Sequence, residues 1–165
     1  MTAIKDMISE TLASLKKRDA DALREISHRY SEEATVTQDQ KTIKIALIAY
    51  CFNKILSKVH YRDRIETLME QSSSQLAGQD LEAVINTIND FDRKHSFFEG
   101  DLVEKAKVKV ASRLYSSGLS ISQSAELLNI SVSDLLEYVG VTKVHNESKT
   151  MTATERLKLA RQLFK

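Results

Sequence analysis

The chain has 165 residues with 24 basic and 23 acidic side chains, and its formal charge is +1. A charge this close to neutral provides no overall attraction to nucleic acid. The sequence contains no proline or tryptophan and only four glycines, which favours helices over a turn-rich β architecture. We therefore expect an all-α protein.

The single cysteine, Cys51, excludes an internal disulfide. It lies in the longest apolar run, residues 45–52, which is far shorter than the roughly 20 residues needed to span a bilayer. The first six residues lack the basic and apolar regions of a secretory signal. We expect a soluble cytoplasmic protein without a membrane partner, in which Cys51 is a packed, inert thiol.

Apolar residues recur at helical spacing through residues 1–95, and the predicted helices are 1–17, 19–36, 41–58, 62–76 and 80–94. The third differs from the others because apolar residues surround its whole circumference. Such a helix is expected to be central, covered by its neighbours or by a second subunit. Residues 1–95 are therefore predicted to form a bundle of about five helices that dimerises or binds a partner.

Residues 118–136 predict two short helices around a tight turn. Ser120 suits the N-cap of the first helix, Asn129 tolerates the left-handed conformation that ends it, and Ser131 or Ser133 suits the N-cap of the second. A further helix is predicted at residues 102–116. Together, residues 99–145 predict a three-helix module of the helix-turn-helix type.

The end of the chain predicts a break followed by a basic helix. The four glycines, Gly140 among them, fall where one periodic apolar segment gives way to another. Residues 142–151 are polar and are expected to form a link. Thr152 and Glu155 have capping-box spacing and are expected to open a C-terminal helix within residues 149–165.

The module contains small, turn-forming and apolar residues in a fixed order: Ala125, Asn129, Ile130, Ser131 and Leu135. Their spacing resembles the helix-turn-helix of bacterial and archaeal regulators and site-specific recombinases. More narrowly, residues 99–141 are similar to small antitoxin-like proteins of archaea and cyanobacteria. The residues that carry this likeness are Leu114-Tyr115, Gly118, Ser120, Ala125-Glu126-Leu127, Ile130-Ser131 and Leu135-Leu136-Glu137. The resemblance implies a non-enzymatic regulator, transcriptional or antitoxin-like, that binds DNA. We expect a homodimer, because such proteins usually double their small footprint by symmetry.

The candidate DNA-contacting residues lie on the two motif helices and on the basic tail: Ser122, Gln123, Ser131, Val132, Ser133, Lys143, Lys149, Arg156, Lys158 and Arg161. Charge favours a different partner, because residues 99–148 contain seven acidic and five basic side chains. The second motif helix presents Asp134 and Glu137 where DNA readers usually carry arginine or lysine. The alternative is that this helix binds a protein and that the chain does not bind DNA.

Two pairs have a spacing found in metal-binding helical bundles, Glu25 with His28 and Asp92 with His95. Helical phase places His28 opposite the apolar stripe of its helix, where it is expected to face water. Arg24 and His28 lie one residue too close for the arginine and histidine pair of helical ribonucleases of prokaryotic toxin systems. We expect no catalytic residue, metal or cofactor.

Overall fold

The computed structural model describes residues 2–58, 65–96 and 101–150, with only the backbone described for residues 142–150. These ranges contain eight helices and no strand, which confirms the all-α prediction. The helices are α1 (Ile4–Lys16), α2 (Ala20–Thr37), α3 (Gln40–Ser57), α4 (Glu66–Ala77), α5 (Leu81–His95), α6 (Leu102–Ser116), α7 (Ile121–Leu128) and α8 (Val132–Thr150). Within the described ranges, no helix has the length and apolar character that crossing a bilayer requires.

Helix α3 lies at the centre of the core, as its apolar circumference predicts. It contacts α1, α2, α5 and α6, so helices of the same chain cover it. Ile43, Ile45 and Cys51 lie on different sides of this helix, and each of them is at most 1% exposed. Burial of apolar side chains on every side of α3 stabilises the fold by removing their surface from water.

Acidic residues begin three of the bundle helices. Asp19, Asp39 and Asp80 each accept a hydrogen bond from the backbone N–H three residues further on, at 2.9 to 3.0 Å. These bonds satisfy N–H groups that the helix itself leaves unpaired. Short connections place α2 beside α1, α3 beside α2 and α5 beside α4.

Helix α6 joins the hydrophobic core of the bundle. Ala106, Val110 and Leu114 are fully buried in the same apolar cluster as the residues of α1 to α5. The first turn of α6 is held to α5, because the Asp92 carboxylate accepts a hydrogen bond from the backbone N–H of Leu102 at 2.9 Å. Helix α6 therefore contacts α2, α3 and α5 on one side and α7 and α8 on the other.

The prediction of a polar link at residues 142–151 is wrong for residues 142–150, because α8 continues through them to Thr150. Gly140 lies within this helix rather than at a break. One glycine costs a helix about 1 kcal/mol, and polar residues cost a few tenths each, so neither ends a helix that has already formed. The boundary expected between residues 145 and 149 thus falls inside α8. The C-terminal helix predicted from residue 152 onward lies outside the described residues.

Candidate functional site

Helix α7 begins and ends as its sequence predicts. The Gln123 N–H donates to Ser120 Oγ at 3.1 Å, and the Ser120 N–H donates to Gln123 Oε1 at 3.2 Å, which makes a reciprocal capping box. Asn129 ends the helix with a left-handed φ of 51°. The Ile130 N–H then donates to the Ala125 carbonyl at 3.0 Å, which closes the turn.

Ser131 caps the N-terminus of α8, because its Oγ accepts a hydrogen bond from the Asp134 N–H at 3.0 Å. This contact decides between the two serines that the sequence offered as caps, Ser131 and Ser133. Leu135 is fully buried, and Ala125 of α7 is 1% exposed. These two residues lie on the inner faces of α7 and α8, which pack on each other and on α6.

The candidate DNA-contacting residues fall into two groups. Those on the first turns of α7 and α8 are at the surface, but Gln123 and Ser131 use polar atoms in the helix caps just described. Ser122, Val132 and Ser133 are exposed. The basic candidates lie where no side chain is described: Lys143 and Lys149 within α8, and Arg156, Lys158 and Arg161 beyond Thr150.

A groove of about 770 Å³ lies between α6 and the first three turns of α8. Apolar side chains line it, among them Val108, Ile130 and Val141. Four carboxylates and one basic side chain complete its charged lining: Asp101, Glu104, Asp134, Glu137 and Lys105. The groove is therefore apolar with a net negative border, and we call it the acidic groove.

The two acids of α8 were singled out from the sequence, but the two acids of α6 that lie across the groove from them were not predicted. Asp101 and Glu104 are spaced by three residues, as are Asp134 and Glu137. This spacing puts both acids of a pair on one side of their helix, and it is the signal that marks them. Only packing brings the two pairs to one groove. Lys107 pairs with Glu104 at 2.8 Å and offsets part of that charge.

Helix α8 also carries most of the exposed large apolar side chains among the described residues. Val132, Leu136 and Val141 are 40%, 53% and 67% exposed, and the remaining one is Val36 at the end of α2. Val132 and Leu136 are one helical turn apart and share a face. This face lies opposite the acidic groove, which Val141 lines, and exposed apolar side chains grouped on one helix face are typical of an interaction site.

The other residues that the sequence singled out have structural surroundings. The Asp92 carboxylate holds the start of α6, and the ring of His95 lies 4.7 Å from that of Phe91 between centroids. His28 is exposed, as helical phase predicts, and lies beside an arginine of α6. In the part of the chain that the structure describes, no three His, Cys, Asp or Glu side chains are grouped as metal ligands would be. Cys51 is buried, and burial raises the pKa of its thiol.

No family model, curated protein or solved structure matches the chain. The likeness of residues 99–141 to helix-turn-helix regulators and antitoxin-like proteins therefore stays a prediction from sequence. The partner must be inferred from the geometry and charge of the described surface.

Proposed function

We propose that the chain is a non-enzymatic regulatory protein in which α1 to α5 form a bundle and α6 to α8 form a helix-turn-helix module. The module binds a protein partner in the acidic groove. The observation that carries this proposal is the lining of the groove, where apolar side chains lie between two pairs of carboxylates from α6 and α8.

This surface suits a basic amphipathic helix better than a phosphate backbone. Such a helix places its apolar face in the groove, where Val108 and Ile130 are available, and its lysines or arginines beside the carboxylates. Opposite charges across the border select the partner and increase the association rate. A phosphate would meet carboxylates at the same border and be repelled.

A synthetic helical peptide with leucines on one face and lysines on the other tests the proposal. Fluorescence anisotropy should show it binding to the full chain, whereas the same peptide with glutamates in place of the lysines should not bind. Glu137→Lys should weaken binding by about tenfold, or about 1.4 kcal/mol. The matched control is Glu126→Lys, which makes the same charge change on the exposed face of α7 outside the groove.

The control is expected to change affinity less than about twofold at physiological salt, because distant charges are screened. Equal losses in Glu137→Lys and Glu126→Lys would show that only net charge attracts the peptide. That result would contradict the groove as the binding site.

The second candidate partner is DNA. Helices α7 and α8 are both capped, and their first turns expose Ser122 and Ser133, where helix-turn-helix proteins contact base edges. The positive charge would then come from the tail. Removing residues 151–165 is expected to abolish binding to a labelled duplex, or to lower its salt slope by about one unit per lost phosphate contact. Glu137→Ala should leave affinity unchanged or raise it. Failure to bind any duplex at low salt would contradict this candidate.

We also propose that the chain forms a homodimer. The sequence points to the bundle as the interface, but the described surface of α1 to α5 exposes Val36 alone among large apolar side chains, whereas α8 exposes three. Sedimentation of the full chain should show a dimer that Leu136→Lys dissociates and Val36→Lys leaves intact. The opposite result would place the interface on the bundle.

A further inference from the structure

Arg113, in the last turn of α6, lies half-buried between α2 and α3. Its Nη1 donates to Ser27 Oγ at 2.8 Å, and its Nη2 lies 3.1 Å from His28 Nε2. The guanidinium carbon is 5.5 Å from the centre of the Tyr50 ring. Because a guanidinium can only donate, a hydrogen bond here requires Nε2 to accept, and therefore a neutral His28 with its proton on Nδ1. Neutral groups therefore hold this cation.

Arg113 has no acidic counter-charge among the described residues. Arg18, Arg24 and Arg29 each have a carboxylate within 4 Å, but Arg113 does not. Its Nε is buried and has no hydrogen-bond partner in the described structure. Burial lowers the pKa of Arg113, while Tyr50 opposes that effect. A half-buried charge without a counter-charge is costly, and the cation that the described residues leave unneutralised here suits an anion.

The surroundings of Arg113 and His28 are mainly positive. Two further cations lie over tyrosine rings: Lys54 Nζ is 5.5 Å from the Tyr50 ring, and Lys109 Nζ is 5.7 Å from the Tyr138 ring. Burial lowers the pKa of His28, and the charges of Arg113, Lys109 and Arg24 lower it further, whereas Glu32 raises it. Arg24 is 3.3 Å from Asp21 at the surface. The other charged or titratable groups around the pair are therefore Arg24, Glu32, Tyr50, Lys54, Lys109 and Tyr138.

We propose that Arg113, with His28 and Lys109, binds a small ligand that carries a phosphate group. Ser27 positions Arg113, because its buried hydroxyl accepts from the guanidinium and donates to the Ala46 carbonyl. Each terminal guanidinium nitrogen has two N–H groups and uses only one in the contacts above, so two remain for phosphate oxygens. Lys109 adds a second full charge, which favours a dianion over a carboxylate. The Tyr50 and Tyr138 rings lie beside Arg113 and Lys109, and charge interactions next to such weakly polar groups are stronger than in water.

Calorimetric titration of the full chain with inorganic pyrophosphate tests the site. Saturable binding is expected, and Arg113→Gln should weaken it at least about tenfold. The affinity of Arg113→Lys for pyrophosphate should lie between those of wild type and Arg113→Gln, because an ammonium keeps the positive charge but lacks the planar pair of donors. The matched control is Lys107→Gln on the same helix, which removes one positive charge that is already paired with Glu104. It should change affinity less than about twofold.

Two further measurements separate binding from folding. Circular dichroism melts establish whether Arg113→Gln folds, and if it does not, Lys109→Gln takes its place with an expected loss of about three- to tenfold. In wild type, pyrophosphate should raise the pKa of His28 measured by NMR, because a nearby polyanion favours the imidazolium. Affinity should therefore increase as the pH falls through that pKa.

Three results would overturn the proposal. One is the absence of saturable pyrophosphate binding up to about 10 mM. Another is an equal loss in Arg113→Gln and Lys107→Gln, which would mean that general charge attracts the anion. The third is Arg113-dependent binding of a short DNA duplex without binding of pyrophosphate, which would assign the phosphate contact to nucleic acid.

Discussion

Replacing Ile48 by alanine is expected to lower the free energy of unfolding by about 2 to 5 kcal/mol. Ile48 lies in the middle of α3 and is fully buried. The smaller side chain loses transfer free energy and leaves a cavity that helices packed from several sides cannot close. Urea denaturation followed by circular dichroism measures the change as a lower midpoint with an unchanged slope.

The control for this prediction is Val36→Ala. Val36 is also an aliphatic residue of a helix, but it lies near the end of α2 and is 85% exposed. The change there is expected to stay within about 0.5 kcal/mol. If Ile48→Ala and Leu47→Ala both cost less than about 0.5 kcal/mol, α3 would lie at the surface, which would contradict the central position described here.

Alanine substitution at two glycines is expected to have opposite effects. Gly118, between α6 and α7, has a φ of 117°, a conformation that residues with a Cβ rarely adopt. Gly118→Ala is therefore expected to destabilise the fold by about 1 to 3 kcal/mol through backbone strain. Gly140 lies inside α8, and a Cβ built there meets no atom within 4 Å. Gly140→Ala is expected to stabilise by about 0.5 to 1 kcal/mol, because alanine favours the helix.

The same urea denaturation compares the two variants. Destabilisation by Gly140→Ala would indicate that the backbone needs a glycine at this position. That result would contradict a continuous α8 and favour the helix break that the sequence predicts there. Tolerance of Gly118→Ala would show that the connection between α6 and α7 can relax without loss of packing.

Local chemistry made several parts of the structure predictable. The capping box of Ser120 and the left-handed turn at Asn129 depend on side chains within a few residues of the backbone they satisfy. The central position of α3 follows from its apolar circumference. The residues that determine each of these features lie within one segment of the chain, so the sequence of that segment is enough to predict them.

The length of α8 was not predictable in this way. Gly140 and the polar residues after it resemble a break, yet their cost is spread over single residues and is smaller than the gain from continuing the helix. The choice between Ser131 and Ser133 as the cap was also open in the sequence, and the backbone geometry at the start of α8 decided it.

The sequence by itself determined that the chain is helical, that α3 is central and where α7 begins and ends. The tertiary structure alone decided which charges meet. Asp101 and Glu104 reach the acids of α8 only because α6 packs against that helix. Arg113 and Ser27 are 86 residues apart, and their contact exists because α6 lies across α2. Helical periodicity shows which side of a helix is apolar, but it does not show which other helix that side will pack against, and both candidate sites depend on that packing.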